Sequence, residues 1–188
     1  MNTTPIICLL VSSSLFTLPS CQKSSNETQT STSVSTTWQL PDVKKDARVK
    51  TSQNLNFPAD QVWKLIAGFN TLSDYHASVV DSKLLQGGAV RHVTLSDEAG
   101  GGIVVERLVY FNEETKTFSY KIIDLIDCPL ALRNYQARVH LTTTDPNTCL
   151  LEWESSFDVE GASVEETKQL ARDIYQGCYD GITKTLSK

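Results

Sequence analysis

Glu106 and Arg107 stand inside the run Ile103-Val104-Val105-Glu106-Arg107-Leu108-Val109-Tyr110, and Arg133-Asn134-Tyr135 opens a second run of extended character. A carboxylate or guanidinium withdrawn from water is costly unless it is paired or hydrogen-bonded. Polar side chains spaced through β-branched and aromatic segments therefore point to a sheet that lines something polar, such as a ligand cavity. Arg91, on a neighbouring segment, has the reach to neutralise Glu106 across that sheet, in which case both are buried and structural. Tyr120 and Tyr135 suit a cavity wall, since each offers an apolar ring and a hydroxyl. Adjacent strand residues face opposite ways. Only one of Glu106 and Arg107 can therefore face inward, and Arg107 on the outside would pair with a carboxylate of a neighbouring strand. The same rule sets Trp153 against Glu154, and an outward tryptophan is unusual for a soluble sheet. No nucleophile triad, phosphate loop or metal motif accompanies these residues.

The elements that must position them follow from pattern. Residues 46–55 read as a first strand, with Ala47, Val49 and Thr51 on one face. Pro58 and Asp60 open a helix, the proline suiting its first turn and the carboxylate its positive end. Val62, Trp63, Ile66 and Phe69 recur at helical spacing, and a second short helix covers residues 72–76. Extended segments follow at 78–85, 89–96, 102–111, 116–125, 133–144 and 148–159. Their joints hold Gly87-Gly88, Gly100-Gly101-Gly102, Asn112-Glu113-Glu114, Asp127-Cys128-Pro129 and Asp145-Pro146-Asn147, the residues that hairpins need. Joints this short imply an antiparallel meander. Ser163 and Glu166 make a capping box for a last helix, whose stripe is Leu170, Ile174, Cys178, Ile182 and Leu186, joined by Ala171 and Tyr175. Gly177 and Gly181 lower its helix propensity. They would allow close approach to the sheet or leave room for a ligand. The expected fold class is α+β: a curved antiparallel seven-stranded sheet around a long C-terminal helix, with two short helices after the first strand. Sheet and helix so arranged enclose a cavity suited to a small apolar ligand.

The chain has 188 residues, with 40% hydrophobic and 21% charged, the composition of a globular domain with a tail. A net charge of −5 supplies no basic field for phosphates, so no nucleic-acid partner is expected. Residues 5–18 are apolar or small and uncharged, too short to span a bilayer comfortably, and read as the core of a secretory signal. Leu18-Pro19-Ser20-Cys21 follows directly and resembles a bacterial lipobox, in which the cysteine is lipidated and becomes the mature N-terminus. By resemblance to such lipoproteins, Gln22 implies sorting to an outer membrane. The expected organisation is a signal segment over 1–21, a Ser/Thr-rich linker over 22–43 and a folded domain over 44–188. The protein would be lipid-anchored at the outer membrane facing the periplasm, touching membrane only through that lipid. Without lipidation of Cys21 it would be soluble in the periplasm. Cys128, Cys149 and Cys178 then remain, enough for one disulfide at most or for small apolar fillers. Their spacing fits no zinc pattern and the three His are scattered, so neither metal nor cofactor is expected.

Several short motifs carry a likeness to one superfamily. They are Pro58-Ala59-Asp60-Gln61-Val62-Trp63-Lys64-Leu65-Ile66, Asp74-Tyr75-His76, Gly88-Ala89-Val90-Arg91, Val105-Glu106-Arg107-Leu108, Leu132-Arg133-Asn134-Tyr135 and Leu151-Glu152-Trp153-Glu154. In this order the chain resembles the helix-grip, START-like (SRPBCC) superfamily, and within it the bacterial polyketide cyclase/dehydrase-like group. The plant abscisic-acid receptors, a distant branch, share the Glu-Arg-Leu and Asn-Tyr motifs. By motif position the resemblance implies His76, Glu106, Tyr135 and Glu154 as ligand-facing residues, to which the strand reading adds Arg91 and Tyr120. Histidine stands where the receptors carry lysine, so the fixed positive charge for a ligand carboxylate is lost near neutral pH. The expected function is a tethered binding module for a small hydrophobic or amphipathic ligand. The alternatives are an accessory factor for a periplasmic protein partner, which an exposed apolar patch over residues 125–132 would favour, and a cyclase or dehydratase-like enzyme. That enzyme would need an acid/base pair such as His76 with Glu106; catalysis is the least favoured reading.

Overall fold

A computed structural model describes residues 38–188. The expected signal segment, Cys21 and the linker up to residue 37 lie outside the described residues. The elements run β1 (Ala47–Leu55), α1 (Ala59–Ile66), α2 (Leu72–Tyr75), β2 (Val79–Leu85), β3 (Val90–Leu95), β4 (Ile103–Asn112), β5 (Thr117–Ile126), β6 (Leu132–Asp145), β7 (Thr148–Val159) and α3 (Val164–Leu186). The strands form one antiparallel sheet in the order β1-β7-β6-β5-β4-β3-β2. Five successive hairpins build β2 to β7, and β1 then adds to the far side of β7. The helices α1 and α2 carry the chain from one sheet edge to the other. The curved sheet grips α3, giving an α+β helix-grip fold.

Side-chain alternation decides which groups reach the concave face. On β7 the residues Cys149, Leu151, Trp153, Ser155 and Phe157 are buried there. On β6 the register shifts between Arg133 and Gln136, and Asn134 takes a left-handed conformation (φ 50°) within the shift. Asparagine tolerates that conformation better than most residues, and its Nδ2 donates to Asp158 Oδ2 at 2.8 Å. The bulge resets the alternation, so that Leu132 and Tyr135 are both buried.

Helix α3 starts where its capping box requires. Ser163 Oγ accepts from the Glu166 amide at 3.5 Å, and Thr167 Oγ1 donates to the Ser163 carbonyl at 2.8 Å. Its buried face is Ala171, Tyr175, Cys178, Tyr179 and Ile182, whereas Leu170 is exposed. Gly177 and Gly181 lie against α2 and His76 rather than against the sheet.

Residues 38–43 lie on the outer side of the sheet. Trp38 stacks on Tyr110 of β4, with ring centroids 5.9 Å apart, and Leu40 is buried. Arg48 Nη2 donates to the Pro41 carbonyl at 3.0 Å and to Asp42 Oδ1 at 3.2 Å. Beneath this strap Arg138 is buried, its Nη1 donating to the Trp38 carbonyl at 3.5 Å. Among the described residues no helix is long and apolar enough to cross a membrane.

Candidate functional site

Between the concave face and α3 lies a cavity of about 360 Å³. Val79, Val93, Val104, Ile122, Leu132 and Ile174 supply apolar wall, and Leu95, Ala99, Leu130, Leu170 and Asp173 form its less buried rim. Two loops contribute Ala99 and Leu130 to that rim, residues 96–102 and 127–131, and they fit tightly together. A Cβ on Gly102 (φ 85°) would meet the Asp127 carbonyl oxygen at 2.4 Å, and one on Gly100 (φ 94°) would meet Pro129 Cγ at 2.8 Å. Glycine serves there both for the left-handed backbone and for the contact.

Arg91 and Glu106 face each other as direct partners across β3 and β4 on the concave side. The Arg91 Nε donates to Glu106 Oε2, and both residues are buried cavity-lining groups. Nη1 donates to the Phe69 carbonyl at 2.9 Å, and Phe69 holds the left-handed turn (φ 50°) that follows α1. The guanidinium lies in the angle of two rings, 4.2 Å from the Phe69 centroid and 5.1 Å from that of Tyr120. Burial works against the guanidinium charge, but the Glu106 carboxylate keeps Arg91 firmly protonated. Burial pushes the Glu106 carboxyl upward, and Arg91 beside it pulls it back. Arg107 points outward and is exposed, and no ion pair reaches it among the described residues, so the carboxylate partner expected for it is missing.

A chain of hydroxyls extends the polar wall. Trp153 Nε1 donates to the Tyr120 hydroxyl at 3.1 Å. The Tyr135 and Tyr175 hydroxyls are 2.8 Å apart, and Tyr175 in turn donates to Ser155 Oγ. With the Tyr175 proton committed to Ser155, Tyr135 must be the donor to Tyr175. Burial raises all three phenols well above their ordinary range, so they stay protonated.

His76 lines the cavity at the end of α2. Its Nδ1 accepts from the Ser78 amide at 3.2 Å, which leaves Nε2 as the protonated nitrogen, donating to the Ile174 carbonyl at 3.1 Å. Burial lowers its pKa, only partly opposed by the Ile174 carbonyl. The ring is thus a neutral latch between the α2–β2 turn and α3. No hydrogen bond joins it to Glu106, and both groups are engaged elsewhere. Both nevertheless line the one cavity, His76 held to Ile174 and Glu106 to Arg91.

Of the six residues nominated from the sequence, His76, Arg91, Glu106, Tyr120 and Tyr135 meet around this one cavity. Glu154 does not. It is on the outer face, 3.5 Å from Arg138 Nη2, because Trp153 takes the inward place beside it and strand neighbours cannot share a face. Burial of an indole outweighs that of a carboxylate, which settles the phase of β7. Sequence reasoning missed Ser155 and the Phe69 carbonyl, and placed Tyr175 only in the helix stripe. Ser155 stands two positions from Trp153, and that spacing marks it as facing the same way. The Cys128, Cys149 and Cys178 thiols are all free, burial pushing Cys149 up to about 11. Among the described residues no group of side chains could hold a metal ion.

A sheet wrapped on a long helix, with a polar-ended cavity between them, defines a START-like protein. The chain belongs to the family described as polyketide cyclase / dehydrase and lipid transport, which matches residues 46–186. It is similar to XoxI from Bacillus cereus, at 33% identity and a TM-score of 0.68, over 73% of this chain and 94% of that one. It is also similar to an uncharacterised protein from Bacillus thuringiensis, at 32% identity and a TM-score of 0.69, over 76% of this chain and 100% of that one. A START superfamily protein from Mycobacterium smegmatis shares the fold at 10% identity, with a TM-score of 0.63 over 74% of this chain and 97% of that one. No curated protein matches the chain. Family and fold together fit a ligand-binding START-like protein, and the family suggests a small hydrophobic ligand.

Proposed function

We propose that this protein is an envelope-tethered binding module that holds one small, partly apolar molecule between its sheet and α3. The observation that carries the reading is the cavity itself: about 360 Å³ of space with apolar walls and the Arg91–Glu106 pair and tyrosine hydroxyls on one side. Pockets of this size and lining suit small molecules. Native mass spectrometry of the full-length protein purified from its own host tests it. A retained small molecule, lost on Glu106→Ala or Tyr135→Phe, is the expected result. A ligand-free spectrum with a co-purifying protein would overturn it.

Tethering rests on Cys21 and its lipobox-like setting. Lipidation there would anchor the domain at the outer membrane, facing the periplasm. Growth with labelled palmitate should mark the wild-type protein and leave Cys21→Ala unmarked.

One observation favours a second reading, that of an accessory factor for a periplasmic protein. Ile126, at 39% exposed, and Pro129 place apolar surface on the loop beside the cavity rim, and Leu170 of α3 adds more. The same purification distinguishes the two readings, since a protein partner would appear in place of a bound small molecule.

A further inference from the structure

We infer that the cavity takes an uncharged, hydroxyl-bearing amphiphile and turns away anionic head groups, an inference that rests on the binding reading above. The lining includes one positive group, Arg91, and two negative ones, Glu106 and Asp173. Arg91 is already partly engaged. Its Nε serves Glu106 and its Nη1 serves the Phe69 carbonyl, and the Phe69 and Tyr120 rings lie against it, which leaves Nη2 for a ligand. A ligand carboxylate would have to share that single guanidinium with Glu106, two like charges in a site withdrawn from water.

No other cation is at hand inside. His76 has both ring nitrogens engaged in a way that only the neutral tautomer satisfies. The rim is mostly of the same sign. Asp97 and Glu98 precede Ala99, Asp127 begins the loop that carries Leu130, and Asp173 is on α3; all four are exposed, and Arg172 beside Asp173 donates to Gln169 Oε1 at 3.3 Å. Arg133, at the same end of β6, is paired with Glu160 at 2.6 Å. An anion would therefore meet negative potential at the mouth and a neutralised pair inside.

A hydroxyl group fits where a carboxylate does not. It can donate to the Glu106 carboxylate or to a phenol oxygen, each of which has lone pairs beyond the bonds described. It asks for no counter-charge, and its chain or ring would lie on the aliphatic walls.

Calorimetric titration of the full chain with 1-octanol and with octanoate tests this, at a pH where octanoate is ionised. An alcohol is also the more apolar of the two, so the deciding quantity is the ratio of their affinities across variants. In the wild type octanol should bind at least about tenfold more tightly. Glu106→Gln, which leaves Arg91 without its counter-charge, should shrink that ratio by about tenfold. Asp173→Asn, on the exposed helix surface and harmless to folding, should shrink it by about twofold. Octanoate binding as tightly as octanol to the wild type, or a ratio unmoved in both variants, would overturn the inference and leave the binding reading standing. No binding of either compound would remove the binding reading and the inference together.

Discussion

A Cβ on Gly181 of α3 would lie 1.6 Å from the carbonyl oxygen of Tyr75, so the helix meets the end of α2 backbone to backbone. One turn earlier, a Cβ on Gly177 would lie 2.9 Å from His76 Nε2. These two glycines let α2 and its histidine settle on α3, and that contact places the His76 side of the cavity.

Gly181→Ala should therefore be destabilising. In an unobstructed helix the change would gain about 1 kcal/mol from propensity. Here the methyl group meets backbone that cannot swing aside, and overpacking of this kind costs about 2–3 kcal/mol. The midpoint of urea unfolding should fall; a rise would mean that α2 and α3 are not in contact.

The His76 latch predicts a pH dependence. The folded chain holds the ring's pKa below its ordinary 6.5, so below that pH the unfolded chain binds a proton that the folded one does not. Its contribution is complete above 6.5 and is lost as pH falls toward the folded value. His140, lowered in the same direction chiefly by burial, adds to the slope. His76→Gln should flatten the decline in stability below neutrality, measured as unfolding midpoint against pH. An unchanged slope would rule out the neutral latch.

The buried Arg91–Glu106 pair should show strong coupling. Arg91→Met alone leaves an unpaired buried carboxylate and should cost about 3–5 kcal/mol. The double variant Arg91→Met/Glu106→Leu should recover most of that loss, because two apolar side chains need no partners. A double-mutant cycle by chemical denaturation reads the difference. Additive losses would mean that the two groups are solvated independently.

On the outer face, Trp38→Ala should lower stability by about 1–2 kcal/mol through the lost stack on Tyr110 and the thinner cover over Arg138. The unfolding midpoint of the full chain checks it. No change would mean that residues 38–43 are not held against the sheet.

Much of the fold was readable along the chain. The seven strands, the second short helix and the last helix lie within a residue or two of the segments expected from alternation, glycine-rich joints and the Ser163–Glu166 box, because those signals depend on near neighbours alone, whereas α1 stops at Ile66 and leaves Phe69 in a left-handed turn. Alternation also told which pairs of residues must separate, as Glu106 from Arg107 and Trp153 from Glu154. It did not tell which member of the second pair faces in. That answer needed the phase of β7, set by how much apolar surface the whole sheet can bury.

What the chain determines by itself is periodicity, caps and turns, each resolved over a few residues, and with them an α+β sheet-and-helix architecture. Arg91 and Glu106, 15 residues apart on neighbouring strands, could be matched from the sequence. The tertiary structure alone decided the more distant partners, Tyr175 meeting Tyr135 across 40 residues and His76 reaching Ile174 across 98. No local pattern encodes such distances. They arise when strands take their register and α3 closes on the sheet, and only then do scattered polar side chains become one cavity wall.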